Sequence, residues 1–335
     1  MIIISDCLTN CADEGTIKIA SKIARLMKKH QAAIFQLNTS CSFSDKTFSV
    51  SKFGISKALL NSIDKEKGNI LYIPNASMTK AVCLKILILK LLTKRKVFLL
   101  PVYRRKVTKL MAVLLKLARA ELIVLSKESD DIYKRCLPNR IHYVKAGVDT
   151  KQFFPITASQ AMELRRKYGY DMNKTLVLHV GHMVEARNIR KLMDLNKNFQ
   201  IVLLVSTSTR WDEKLYEDLS KCENIKIIHE YIPNIEEYYQ MADVYYFPVE
   251  QVGCVDIPLS VLEAAACGIP VVSTEYGELK SFKESSGFSF IKDFADSDKL
   301  IEEAKRDKNN LNREKIKEYD WEIAVERIFE ICGGK

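Results

Sequence analysis

The stretch IPLSVLEAAACGIPVVST, Ile257–Thr274, decides how the chain is read. Pro258 suits the first turn of a helix, where its missing N–H costs nothing. Gly268 suits the position just past a helix end, and Ile269–Thr274 reads as the strand that follows. Between them Val261, Leu262, Ala264, Ala265 and Ala266 surround a single carboxylate, Glu263. A helix that is apolar all round is buried, and a buried carboxylate needs partners. The helix start leaves backbone N–H groups near Leu259 and Ser260, which suits a phosphate. Glu263 lies one turn beyond Leu259, where it can accept hydrogen bonds from vicinal hydroxyls. The competing reading of Glu263 is a solvent-facing helix residue.

A helix followed by an apolar strand is one step of an α/β fold, and the step recurs along the chain. Strands are predicted at Met1–Ser5, Ala33–Leu37, Asn69–Ile73, Lys96–Val102, Glu121–Ser126 and Ile141–Lys145, with helical spacing between most of them. Apolar runs without clean alternation suit strands buried on both faces of a parallel sheet. After a break at Gly147–Ile156 the alternation restarts. It runs through strands at Thr175–Val180, Gln200–Ser206, Ile225–His229 and Val244–Phe247, with a helix expected at Asn188–Leu195. The prediction is two doubly wound α/β domains.

With 335 residues and 47% hydrophobic side chains, the chain has room for two cores. MIIISD is too short an apolar run for a signal peptide, and no window spans a bilayer. Nine cysteines without CxxC spacing read as reduced thiols, so the expected location is cytoplasmic. The net charge of +10 is concentrated: Lys80–Ala120 has twelve basic residues and no acidic one. That segment suggests an anionic partner, and in Arg105–Arg119 the charges at 105, 109, 116 and 119 fall on one helical face. A membrane-surface helix at the inner face of the membrane and an ordinary helix with a solvated charged face both fit. Nucleic acid is disfavoured, because only Phe98 and Tyr103 are available for stacking there.

Several landmarks stand in a set order: AELIVLSKES, RIHYVKAGVDTKQFFP, LVLHVGHMVEARNIRKL, IIHEYIPNIEEYYQMADVYYFP, VDIPLSVLEAAACGIPVVST and EYDWEIAVERIFEI. In that order they resemble family 4 retaining glycosyltransferases, the glycosyl transferases group 1 type with the GT-B fold. The resemblance implies two Rossmann-like domains facing a central cleft. Residues 1–154 would form the acceptor side and 155–318 the nucleotide-sugar side. Residues 319–335 would be a terminal helix crossing back to the first domain.

The resemblance also implies roles. Glu263 matches the second motif glutamate, which holds the ribose, and Pro258, Leu259 and Ser260 the helix start that takes the phosphates. The first motif glutamate is missing. Val255 stands eight residues before Glu263, and the adjacent Asp256 either substitutes for it or caps the helix. Gly181 closes a strand and lets its loop approach a ligand. His182 and Arg187 occupy places where the family has Arg and Lys. Arg187 can grip a diphosphate bidentately, and its alternative is a solvated loop charge. Tyr231 and Ile232 match the base-binding loop, Ser206 and Arg210 a neighbouring strand end, and Gly15 the remnant of a glycine-rich turn. Arg187, His182 and Glu263 are the expected catalytic set.

No general base is identifiable, which suits a retaining transfer in which the departing diphosphate takes the acceptor proton, without a metal or other cofactor. Asp296-Ser297-Asp298 matches a metal-binding pattern but reads as a helix cap. The expected partners are a nucleotide sugar and a glycan or lipid-linked acceptor. A nucleotide-sugar epimerase on the same fold and a non-catalytic anion- or nucleic-acid-binding protein are the alternatives.

Overall fold

A computed structural model describes residues 1–11, 14–51, 54–208, 211–250, 257–307 and 310–334. The chain divides into two compact units, Met1–Ala146 with Trp321–Lys335, and Gly147–Val252 with Ile257–Asp320. The GVDTKQFFP segment belongs to the second unit. Arg313 donates to the carbonyls of Thr150, Phe153 and Ala266, and Val148 bridges to Asp320. That unit therefore begins at Gly147 rather than 155, and the terminal segment leaves it at Trp321 rather than 319.

The first unit contains β1 (Ile2–Ser5), α1 (Gly15–Met27), β2 (Ala33–Leu37), β3 (Lys46–Phe48), α2 (Lys57–Lys65), β4 (Ile70–Ile73) and α3 (Lys80–Thr93). It continues with β5 (Val97–Leu99), α4 (Lys109–Leu117), β6 (Glu121–Val124), α5 (Lys127–Lys134) and β7 (Ile141–Tyr143). The strands are all parallel, in the order β3-β2-β1-β4-β5-β6-β7. Ile2, Ile4, Tyr72, Leu99 and Val124 pack on α2 to α5 through Leu59, Ile86, Leu115 and Tyr133. The alternate residues Ile3, Leu71, Phe98 and Ile123 are buried too, so both faces are covered.

The second unit has α6 (Ala158–Tyr168), β8 (Leu176–Gly181), β9 (Gln200–Val205), α7 (Glu213–Ser220), β10 (Ile225–Ile228), α8 (Ile235–Met241) and β11 (Val244–Phe247). Then come α9 (Leu259–Ala266), β12 (Val271–Ser273), β13 (Phe288–Phe290), α10 (Ser297–Arg306) and α11 (Asn312–Ile316). Its parallel sheet runs β10-β9-β8-β11-β12-β13. The order reverses between β8 and β11, and in such sheets ligands bind outside the carboxyl ends of the strands at that reversal. The last helix, α12 (Trp321–Ile331), packs on α1 of the first unit.

Three details differ from the sequence reading. Lys46–Phe48 is an edge strand too short and too exposed for its pattern to show. Asn188–Leu195 is not an α-helix. Asn188 is left-handed at φ 53 between two short 3-10 turns, Glu185–Arg187 and Ile189–Leu192. Pro258 precedes α9 in an extended conformation, and its carbonyl accepts from Val261 and Leu262. At the other end Gly268 is left-handed at φ +75. Its N–H and that of Ile269 close back on Ala265 and Ala264.

Candidate functional site

Helix α9 is buried along its length, and Glu263 is only 5% exposed. The solvent-facing reading of Glu263 is therefore wrong. Its carboxylate has a partner from α8: the Tyr239 hydroxyl donates to Oε2 at 2.7 Å. Tyr239 is fully buried, edge-on to Phe153 and stacked on Tyr245. Burial first, and the Glu263 charge second, push its pKa well above the usual tyrosine value, so it stays a donor.

The start of α9 has no side-chain cap. Among the described residues no acceptor meets the N–H groups of Leu259 and Ser260, because Val261 and Leu262 take the Pro258 carbonyl. The Tyr245 hydroxyl of β11 donates to the Val180 carbonyl at 3.2 Å and accepts from the Val180 N–H at 3.3 Å, which ties β11 to the end of β8. Ser260 and Glu263 on α9 follow β11, and Arg187 follows β8, so all three come after the two strands between which the order reverses.

Arg187 ends the first 3-10 turn after β8 and is half-buried. Among the described residues its guanidinium has no ion-pair partner. Its neighbour Arg190 is committed to Glu185 at 2.7 Å and Asp218 at 2.9 Å, which makes Arg190 structural. Asn188 fixes the loop by donating to the Pro248 carbonyl at 3.1 Å and to Glu250 at 3.2 Å. The loop after β8 is thus tied to the loop after β11.

Beneath this loop lies His179, fully buried. Its Nδ1–H donates to the Tyr246 carbonyl at 2.8 Å, and its Nε2 has no partner. Burial lowers its pKa to about 4, aided by the Arg187 charge, so the ring is neutral at pH 7. A Cβ at Gly181 would stand 3.1 Å from Nε2. The glycine is required by the ring beneath it as well as by any ligand above.

The remaining expected residues are more scattered. His182 follows Gly181 and is half-buried. Ser206, at the end of β9, lies beside Gly181, with its N–H 3.4 Å from the Gly181 carbonyl. Tyr231 is exposed and Ile232 half-buried in the turn after β10, two strands from β8. Nearby, His229 packs tilted against Trp211 at 4.1 Å between centroids. Arg210, Val255 and Asp256 lie outside the described residues. Gly15 belongs to the first unit and opens α1, where the Glu14 carboxylate already accepts from the N–H groups of Thr16 and Ile17. Asp296 is the cap residue of α10 but makes no side-chain cap bond, and Asp298 accepts from the Asn196 N–H at 3.0 Å. Among the described residues no group of three or more His, Cys, Asp or Glu is placed to hold a metal ion.

Sequence reasoning missed His179, Asn188, Tyr239 and Tyr245. A histidine inside an apolar strand two residues before a glycine was the available signal for His179. The two tyrosines are joined to Glu263 and Val180 by tertiary packing alone, which leaves no local pattern.

Comparison with known proteins finds a family match over part of the chain. Residues 174–306 match the Glycosyl transferases group 1 family. The match covers this site from β8 to α10. Over 247 residues the chain is 23% identical to alpha-maltose-1-phosphate synthase of Mycolicibacterium smegmatis. That alignment takes in 64% of this chain, and the chain spans 62% of the length of that relative. Among solved structures, Anabaena Alr3699/HepE in complex with UDP and glucose superposes with a TM-score of 0.77. It is 13% identical, covering 100% of this chain and 99% of that one. A glycosyltransferase from Rickettsia africae gives 0.76 at 11% identity over 99% and 97%. The fold is GT-B, with two parallel sheets of seven and six strands flanked by helices.

Proposed function

We propose that this chain is a glycosyltransferase that moves a sugar from a nucleotide-diphosphate donor to a glycan or lipid-linked acceptor. The observation that carries the reading is the start of α9 without a side-chain cap, with the buried Glu263 one turn on, beyond the carboxyl ends of β8 and β11 where the strand order reverses. The group 1 match over the same segment and the UDP and glucose complex of the Anabaena protein support it.

In this reading the bare N–H groups of Leu259 and Ser260 and the Arg187 guanidinium bind the diphosphate. They stabilise the charge that grows on it as the anomeric C–O bond breaks. His182 adds a second donor from the same loop. Glu263, held by Tyr239, accepts from the ribose hydroxyls. Gly181 and Ser206 line the approach, and Tyr231 and Ile232 meet the base. The acceptor oxygen bonds the anomeric carbon on the face the diphosphate leaves, and its proton passes to a diphosphate oxygen. The configuration is retained, and protein charges do the work for which other transferases use a metal. The eight described cysteines are free thiols, which suits the reducing cytoplasm. Among the described residues no helix is long and apolar enough to cross a membrane.

The test is a panel of nucleotide sugars offered with and without simple glycan acceptors. The expected result is release of nucleoside diphosphate from at least one donor, with a product of unchanged anomeric configuration and no loss of rate in chelator. A donor converted to an isomeric nucleotide sugar without acceptor would instead make the protein an epimerase. Neither release nor thermal stabilisation by any donor would remove the enzymatic reading.

A further inference from the structure

We infer that the first unit carries a docking surface for an anionic phospholipid bilayer, formed by α4 and the C-terminal end of α3. The two helices follow adjacent parallel strands, β4 and β5, and pack on each other. They therefore run in the same direction and end at the same edge of the sheet. Met111, Leu115 and the following Ala118 are the side of α4 that packs inward. At about 100° per residue, Val113 lies opposite that side, with Leu110 and Leu117 to one flank and Lys109 and Lys116 to the other.

A helix that only covers a sheet turns polar residues outward. Here Leu110, Val113 and Leu117 are each more than half exposed, and so are Leu91 and Leu92 at the end of α3. These five apolar side chains sit in a segment with twelve basic residues and no acidic one. Part of that charge is spent inside the unit. Lys85 is buried, Lys96 pairs with Glu121 at 2.6 Å, Arg104 pairs with Glu128 at 2.7 Å, and Arg95 donates to the carbonyls of Ile63, Glu66 and Gly68. Lys94, Lys109, Lys116 and Arg119 are exposed and have no carboxylate partner among the described residues.

Apolar side chains rimmed by uncommitted lysines match an interface with acyl chains below and anionic headgroups around. The exposed side chains are aliphatic, so they give no stacking platform for bases. A second copy would bring like charges together. The inference does not depend on the transfer reading, because no residue of the donor site takes part.

The test is cosedimentation of the full chain with vesicles of phosphatidylcholine alone and of phosphatidylcholine mixed with phosphatidylglycerol. The expected result is binding to the mixed vesicles and little to the neutral ones. The combined variant Leu110→Ser, Val113→Ser, Leu117→Ser removes only exposed groups, so it stays folded and loses about tenfold or more in vesicle binding. Lys109→Gln with Lys116→Gln weakens binding and flattens its salt dependence. Nucleoside diphosphate binding by the same variants stays unchanged, which keeps failure here separate from failure of the donor site. Equal vesicle binding by the triple-serine variant would overturn the inference, as would no binding at low salt. Binding to duplex DNA that the triple-serine variant retains in full, without vesicle binding, would make the surface a nucleic-acid site. A dimer lost in that variant, without vesicle binding, would make it a self-association face.

Discussion

Helices α1 and α9 both start at the carboxyl end of a buried parallel sheet, and they treat their free amides in opposite ways. At α1 the Glu14 carboxylate accepts from Thr16 and Ile17. At α9 the cap is Pro258, which has no side-chain acceptor, and Arg187, in the turn after β8, has no ion-pair partner among the described residues. Side-chain caps close α1 through α7, whereas α8 to α11 all start without one. A carboxylate in a first turn uses the helix dipole and repels a phosphate, whereas a bare start beside a guanidinium attracts one. Gly15, read from the sequence as the remnant of a glycine-rich turn, opens the helix whose Thr16 and Ile17 amides are taken by Glu14.

The largest expected effect tests that contrast at Arg187. Arg187→Ala removes no ion pair among the described residues, so its melting temperature should match the parent. Its kcat/KM for transfer should fall about a hundredfold to a thousandfold, as for loss of one transition-state donor. An unfolded variant, or one with full activity, would break the contrast.

The next effect is on stability with pH. His179 has its pKa lowered from 6.5 to about 4 by burial. Below about 6.5 the unfolded chain takes up a proton that the folded chain refuses. The stability contribution is therefore whole above 6.5 and is lost as pH falls toward about 4, to a total of about 3 kcal/mol. Urea unfolding of His179→Gln across that window should show a correspondingly flatter pH dependence. An unchanged slope would place the titration elsewhere.

Glu263 comes third. Glu263→Ala strands the buried Tyr239 hydroxyl and should cost about 2 kcal/mol of stability. Glu263→Gln keeps an acceptor for Tyr239 and should cost less than half of that. Both should weaken donor binding, and calorimetry that finds donor affinity intact in Glu263→Gln would reduce Glu263 to a packing partner. The smallest effect lies on the other side of the comparison. Glu14→Ala removes a cap and should cost about 1 kcal/mol, with donor affinity unchanged.

The layout of both sheets was legible because each buried strand is an apolar run, and because Gly268 marks the end of α9 unambiguously. Candidate residues could be named where one stretch holds them, as with Ser260 and Glu263. The contact that holds Glu263 could not. Tyr239 reaches it from α8, and no spacing in the sequence encodes a contact made by packing. The same limit applies to Arg187 and Arg190, two basic residues in one loop. Only the positions of Glu185 and Asp218 show that Arg190 is committed, whereas Arg187 has no ion pair among the described residues. Asn188 misled for a local reason: its left-handed backbone is stabilised by Pro248 and Glu250, which are remote in sequence.

The most direct test of the account is calorimetric titration of nucleoside diphosphates, UDP first, into the parent chain, Arg187→Ala and Glu14→Gln. The account predicts that the parent and Glu14→Gln bind one of them equally well, and that Arg187→Ala binds it about tenfold to a hundredfold more weakly. Equal affinity in Arg187→Ala, or a loss in Glu14→Gln as large as that in Arg187→Ala, would contradict it.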